Sequence, residues 1–233
     1  MNVIITGGTK GIGRAIAELL HEKGADLAIC ARNQKDLDEM SKVLTSENPS
    51  QQVLTFQCDV SVKEEVINFA SFVLSKWNEI DILINNAGVF LPGNVSEEED
   101  GMLEKMIDTN LYSAYHLTRQ LLPSMIAKKS GYIFNMCSVA SLKAYPNGGS
   151  YSISKFALLG FSKVLREELK EKGIKVTSIL PGATWSDSWT GIDLPKARLM
   201  EANDIAIAVW QAIQMSPSAV VEEILLRPQL GDL

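Results

Sequence analysis

Tyr151 and Lys155 stand four residues apart in a segment with helical spacing, so both side chains project from one face. A phenol with a pKa of about 10 carries protons poorly at neutral pH. A lysine ammonium held beside it favours the phenolate and makes the pair usable for acid–base work. Alone, a Tyr and a Lys at this spacing are a frequent accidental match, and a surface pair is the competing reading. Ser138 lies 13 residues before Tyr151, at the end of an apolar run. Asp59-Val60 and Asn85-Asn86-Ala87-Gly88 end two further apolar runs in the same way, and ligands gather at strand carboxyl ends in open α/β sheets. Asn110 sits inside a helix-period segment, where asparagine is a poor former and asks for a reason.

A second constellation opens the chain. Thr6-Gly7-Gly8-Thr9-Lys10-Gly11-Ile12-Gly13 separates the first strand-like run from the first helix-like one. Glycines at 7, 11 and 13 permit a tight turn and close approach of a pyrophosphate to the backbone, and the helix start offers unpaired N–H donors. The spacing is G-x-x-x-G-x-G, which differs from the commoner G-x-G-x-x-G, and no G-K-[ST] follows as in a P-loop. About 20 residues further on, an NAD protein places an acid on the ribose 2′-hydroxyl. Ala31-Arg32-Asn33 stand there instead. Arg32 suits a bidentate grip on a 2′-phosphate, and Lys10 is within reach of the same group. Two cations and no acid argue for NADP(H), against the alternative of two solvated surface charges.

The elements that must position these residues follow from periodicity. Strands are expected at Val3–Thr6, Leu27–Ala31, Val53–Gln57, Ile80–Ile84, Tyr132–Cys137, Lys175–Leu180 and Val220–Leu226. Helices are expected at Gly11–Lys23, Lys35–Leu44, Glu64–Trp77, Met102–Met125 with a late break at Pro123, Ser150–Lys172 and Ile205–Met215. Ser96 and Glu99 form an S-x-x-E pattern, so the acidic run Glu97–Asp100 reads as the capped start of the helix that follows it. The alternation predicts one domain over residues 1–233, an α/β fold with a doubly wound, parallel, seven-stranded sheet.

Taken together, Thr6-Gly7…Gly11-Ile12-Gly13, Asp59-Val60, Asn85-Asn86-Ala87-Gly88, Asn110, Ser138, Tyr151-x-x-x-Lys155 and Pro181-Gly182 resemble the short-chain dehydrogenase/reductase family, in order and over essentially the whole chain. The resemblance implies a Rossmann-like fold and a set of roles. Tyr151 donates a proton to a substrate carbonyl. Lys155 lowers the tyrosine pKa and holds the nicotinamide ribose, Ser138 polarises the carbonyl, and Asn110 positions a water that links Lys155 to solvent. Asp59 and Val60 contact the adenine, Asn86, Ala87 and Gly88 border the cofactor, and Pro181, Gly182 and Thr184 lie by the carboxamide. Gly7, Thr9, Lys10, Gly11, Ile12, Gly13, Arg32 and Asn33 complete the expected cofactor set. The resemblance also implies a homodimer or homotetramer built on long helices.

Substrate choice is expected in Ala183–Glu201, which holds Trp185 and Trp189, with Leu142 and Tyr145 as further walls. The tail Val220-Val221-Glu222-Glu223-Ile224…Arg227-Pro228…Gly231-Asp232-Leu233 resembles that of bacterial sepiapterin-reductase-like members, which implies a pterin-like ketone. Much of the chain equally resembles 3-oxoacyl-acyl-carrier-protein reductases, although Lys196 and Arg198 are a slight basic patch for an acidic carrier. A non-catalytic NADP(H)-binding sensor is the reading from another class.

Composition excludes other classes. The 233 residues carry 22 Lys and Arg against 28 Asp and Glu, a net charge of −6, which is not the footprint of a nucleic-acid binder. Hydrophobic residues at 46% and charged residues at 21% rule out global disorder. No uncharged apolar run approaches a membrane span, and no leader pattern precedes the first strand. The three cysteines have no C-x-x-C spacing and fit buried thiols in a reducing cytoplasm rather than a metal site.

Overall fold

Each short apolar run becomes a strand, and period-two alternation assigns its side chains to opposite faces. In the computed structural model, which describes residues 1–185 and 194–232, Val3 and Ile5 of the first strand join one core cluster and Ile4 joins the other. Among the described residues, seven strands form one sheet: β1 (Asn2–Thr6), β2 (Asp26–Ala31), β3 (Val53–Gln57), β4 (Ile82–Asn85), β5 (Gly131–Met136), β6 (Ile174–Pro181) and β7 (Glu223–Leu226). Their order is β3-β2-β1-β4-β5-β6-β7, and every neighbouring pair is parallel.

Helices α1 (Gly11–Glu22), α2 (Gln34–Glu47) and α7 (Ala202–Ile213) cover one face through Ile16, Leu20, Leu37, Leu44, Ile205 and Val209. On the other lie α3 (Lys63–Lys76), α5 (Ser113–Lys128) and α6 (Gly149–Leu169), packed through Phe69, Val73, Leu117, Leu121, Leu165 and Leu169. A sheet covered on both sides needs strands apolar on both sides, which is what the near-continuous runs encode. The winding reverses between β1 and β4, and their carboxyl ends open a crevice there.

The expected helix Met102–Met125 is three pieces. Helix α4 (Met102–Ile107) runs into a π-helical turn at Asp108–Tyr112 and then into α5. The late break at Pro123 does not occur: α5 carries the proline and continues to Lys128, ending at Lys129 in the left-handed region. Proline removes one amide donor, and burial of Leu117, Leu121 and Met125 against the sheet holds the helix together across that gap. Ser96 and Glu99 do not cap α4. Gly101, at φ 90°, precedes Met102 with no side-chain cap, and Glu98 reaches a different helix, described below. Strand β4 starts two residues later than expected and ends one later, at Ile82–Asn85. All three cysteines are buried free thiols. Among the described residues, no helix is long and apolar enough to cross a membrane.

Candidate active site

The glycine loop between β1 and α1 is braced from β4. Asn86 donates from Nδ2 to the carbonyls of Thr6 at 2.9 Å and Gly7 at 3.1 Å. The Thr6 hydroxyl in turn accepts the amides of Asn86 and Ala87 at 3.1 and 3.0 Å. Gly7 lies at φ +65°, and a Cβ on Gly13 would sit 2.3 Å from both Asn86 Nδ2 and Gly7 O. Only a hydrogen fits at Gly13, which lets the first turn of α1 close onto the loop. Lys10 precedes α1 in extended conformation with no side-chain cap, leaving the first amides of the helix to a ligand or solvent. Thr9 is buried and Ile12 packs on the core. Gly11 also takes a positive φ.

Beyond β2, Asn33 spends its side chain as the N-cap of α2, accepting from the amides of Lys35 at 2.9 Å and Asp36 at 3.4 Å. Lys10 pairs with Asp36 at 3.3 Å, which draws the lysine towards the Arg32–Asn33 corner. Arg32, Gln57, Asp59 and Glu65 line a cavity of about 420 Å³. Burial pushes the Asp59 carboxyl up, but hydrogen bonds from Ser61 and the Arg32 charge outweigh it and leave the group below its ordinary value. Glu65 accepts the Asp59 amide at 2.7 Å, so both carboxylates are engaged locally. Val60 is buried beside them. Gln57 was not expected here. It donates to the Arg32 carbonyl at 2.9 Å, and its place at the end of β3 was the available signal.

Helix α6 brings Tyr151 and Lys155 to one face, as their spacing requires. Ser138 follows β5 and caps a 3₁₀ turn (Val139–Ser141): its Oγ accepts the Ala140 amide at 3.1 Å, and its own amide donates to Ser141 Oγ at 3.1 Å. That fixes its hydroxyl, close enough to Tyr151 to pull the phenol pKa down. Burial pushes the Tyr151 phenol up to about 12 against the opposing pull of Ser138. Burial likewise drives the Lys155 ammonium down to about 8. Lys155 donates to the Met136 carbonyl at 2.8 Å and lies 5.8 Å from the centre of the Tyr151 ring. Lys155 is expected to lower the tyrosine pKa; here its ammonium is turned to a strand carbonyl, and burial dominates the shift of both groups.

Asn110 sits in the π-helical turn, a distortion that recurs at functional sites. Its Oδ1 accepts the Val89 amide at 2.7 Å, and its Nδ2 donates to Val89 O at 3.0 Å and Ser154 Oγ at 2.9 Å. A Cβ on Gly88 would lie 3.1 Å from Asn110 Oδ1 and 3.3 Å from Lys155 Nζ, so these three residues converge. Phe90, Met136 and Ser154 were missed from sequence. Phe90 stands edge-on to Tyr151 at 4.9 Å, and only Ser154, three residues after Tyr151, carried a spacing signal.

Strand β6 delivers Pro181, and Gly182 then donates its amide to Leu226 O at 2.8 Å. Thr184 is buried and hydrogen-bonds Gly182 O at 3.0 Å. Trp185 N bonds Met200 O at 2.9 Å and Met200 N bonds Ala183 O at 3.0 Å, joining the two arms of the connection. Trp189 lies outside the described residues. Leu142 and Tyr145 are exposed between Ser138 and α6. Tyr145 is close enough to Tyr151 to raise its pKa. Arg198, read from sequence as half of a slight basic patch, donates both terminal nitrogens to the tail carbonyls of Gly231 and Asp232, at 2.7 and 2.8 Å.

A family profile described as short chain dehydrogenase matches residues 1–196. An uncharacterized oxidoreductase of Staphylococcus epidermidis is 31% identical over 225 residues, 97% of this chain and 96% of its own. Among solved structures, an alcohol dehydrogenase from the archaeon Thermococcus sibiricus, complexed with 5-hydroxy-NADP, is similar at a TM-score of 0.91 and 27% identity, covering 100% of this chain and 98% of that one. L-Sorbose reductase from Gluconobacter frateurii, complexed with NADPH and L-sorbose, is similar at 0.89 and 26%, covering 97% and 95%.

Proposed function

The chain belongs to the short-chain dehydrogenase family, and on that premise we propose that it reduces the carbonyl of a small ketone to an alcohol with NADPH. The observation that carries the reading is the convergence of Ser138, just after β5, with Tyr151 and Lys155 on one face of α6, where burial pushes the Tyr151 phenol up to about 12. A phenol kept neutral at pH 7 is the donor form of the group, suited to giving a proton to a carbonyl oxygen. Ser138, fixed by its own capping bonds, supplies a second hydrogen bond to that oxygen and polarises it.

The residues fit a phosphorylated dinucleotide. The glycine loop is closed so tightly that a side chain at Gly13 is excluded, and the start of α1 leaves its amides uncapped. Arg32 lines a cavity large enough for a phosphate, with Lys10 drawn to the adjoining corner. When bound, NADPH supplies the hydride. Lys155 holds the nicotinamide ribose and, once recruited from the Met136 carbonyl, restores the tyrosine proton through Asn110 and an ordered water. Pro181, Gly182 and Thr184 border the carboxamide. Trp185, Trp189, Leu142 and Tyr145 shape the substrate side. A pterin-like side-chain ketone is one candidate, supported by the tail resemblance alone. The 3-oxoacyl-carrier reading is disfavoured by Arg198, whose guanidinium is committed to the tail. A non-catalytic sensor is disfavoured by the retained Ser138, Tyr151 and Lys155. Isologous pairing through α5 and α6 would give a homodimer or homotetramer, supported by exposed Tyr112, Tyr115, Ile153, Phe156 and Val164.

The test is NADPH oxidation by the purified protein against pterins, diketones, sugar ketones, quinones and 3-oxoacyl thioesters. Turnover of a small ketone with no turnover of the thioesters is expected. Preferred turnover of thioesters would replace the substrate assignment.

A further inference from the structure

We propose that Glu98 is a positioning residue for Tyr151: its carboxylate, reaching from the loop after β4, holds the first turn of α6 and so places the phenol. The inference rests on the proton-donor reading of Tyr151 given above. Helix α6 starts after Gly148, which has no side chain to cap it. The orphan donors of a first turn need an acceptor. Glu98 Oε1 accepts the Ser150 amide at 2.9 Å, and Oε2 accepts the Ser150 hydroxyl. Ser150 directly precedes Tyr151. The acceptor comes from 52 residues away, so this cap fixes where the helix begins relative to the sheet, which a local cap cannot do. A carboxylate also suits the positive end of the helix.

The chain makes room for this contact. A Cβ on Gly149 would lie 2.2 Å from Glu98 Oε1, and one on Gly93 would lie 2.7 Å from Glu98 Cγ. Glycines on both walls thus form a slot that the glutamate fills. The loop is tied to the same turn at two more points. Gly93 N donates to Asn147 O at 3.0 Å, and Asn147 N donates to Asn94 Oδ1 at 3.1 Å. The loop's other end is clamped by Asn110 at Val89. Between the clamps, Phe90 presents its ring to Tyr151. Tyr151 is therefore held through the residue before it by Glu98 and through its ring by Phe90. Small displacements of a reacting group cost large factors in rate.

The experiment compares Glu98→Ala, Glu98→Gln and Glu98→Asp. For the alanine variant, kcat on a ketone turned over by the wild type should fall about ten- to a hundredfold. NADPH affinity should stay within about twofold, since Glu98 touches neither the glycine loop nor Arg32. Glutamine keeps the length and an acceptor and should restore most of the rate. Aspartate keeps the charge but loses reach and should not. Absorbance titration, read as the difference from the matching Tyr151→Phe protein, should show the Tyr151 phenol titrating lower in Glu98→Ala than in the wild type, because a loosened first turn admits water. This titration needs no substrate. It therefore still decides the role of Glu98 if the wild type reduces no ketone, an outcome that sinks only the proposed reaction. If the alanine variant does not fold, Ser150→Ala, which removes the hydroxyl donor alone, should lower kcat severalfold with the same unchanged NADPH affinity. A wild-type kcat and titration in Glu98→Ala would overturn the proposal. So would a loss of rate matched by equal losses of NADPH affinity and thermal stability, or rescue by aspartate and not by glutamine.

Discussion

The Lys155 ammonium is bound to the Met136 carbonyl at 2.8 Å and lies 5.8 Å from the centre of the Tyr151 ring. Lys155 is buried and Tyr151 is half-buried beside it. Each is pushed towards its neutral form, the phenol to about 12 and the amine to about 8. The phenolate should therefore be missing from the free protein at pH 10, where an ordinary tyrosine is half ionised. Absorbance titration of wild type against Tyr151→Phe checks this, and a difference midpoint at or below 10 would contradict the arrangement. Because the acid form donates in reduction, the rate of ketone reduction should not fall between pH 6 and 8 through ionisation of Tyr151.

The Lys155 shift carries a stability consequence. A lysine with its pKa depressed on folding binds fewer protons folded than unfolded between about pH 8 and the unfolded value near 10.5. Its contribution to stability therefore rises across that window as the pH rises, and below pH 8 the buried charge is a constant penalty. Lys155→Met should raise the Tm of the free protein at pH 7 and flatten the increase between pH 8 and 10.5. At about 1.4 kcal/mol per pH unit, the difference is a few kcal/mol at most. Thermal melts at pH 7 and pH 10 on both proteins test it.

Tyr151→Phe removes one hydroxyl and leaves the ring against Phe90. NADPH binding should survive, while kcat should fall by about 10²–10⁴ for want of the proton donor. Lys155→Met should lower kcat and also weaken NADPH binding, because that residue is assigned two roles. Fluorescence titration with NADPH separates the two variants. More than half of the wild-type rate in Tyr151→Phe would move the proton donor elsewhere.

Arg32→Asp places a third carboxylate in the cavity with Asp59 and Glu65. Loss of a charge-assisted hydrogen bond of ~1.5–3 kcal/mol predicts a ten- to hundredfold fall in preference for NADPH over NADH. The ratio of kcat/KM for the two nucleotides measures it. Equal use of both by the wild type would refute the role given to Arg32.

Ile153, Phe156 and Val164 emerge from one side of α6, at intervals of three and eight residues, with exposures of 45%, 45% and 54%. A helix-to-helix interface would bury them twice over in an isologous pair. Phe156→Glu should convert a dimer or tetramer into smaller species by light scattering at micromolar concentration. A monomeric wild type would end this reading.

The alternation of strands and helices, and with it the parallel sheet, was legible because burial on two faces demands apolar runs at fixed periods. Gly7, Gly13, Tyr151 and Lys155 were legible because short spacings on a loop or helix survive folding unchanged. Neither signal reaches across the chain. Asn110 looked like a poor residue within one long helix, and only the tertiary contacts with Val89 and Ser154 account for the π-helical turn that replaces that helix. Glu98 belonged to an acidic run that read as a cap for the next helix, because local capping is the only kind a sequence pattern can express. Its partner, Ser150, is brought to it by the winding of the sheet. The surroundings of Tyr151 were out of reach for the same reason. A sequence sets the distance between Tyr151 and Lys155 along the helix, while the water left around them and the Met136 carbonyl that claims the lysine exist only once β5 and α6 have packed.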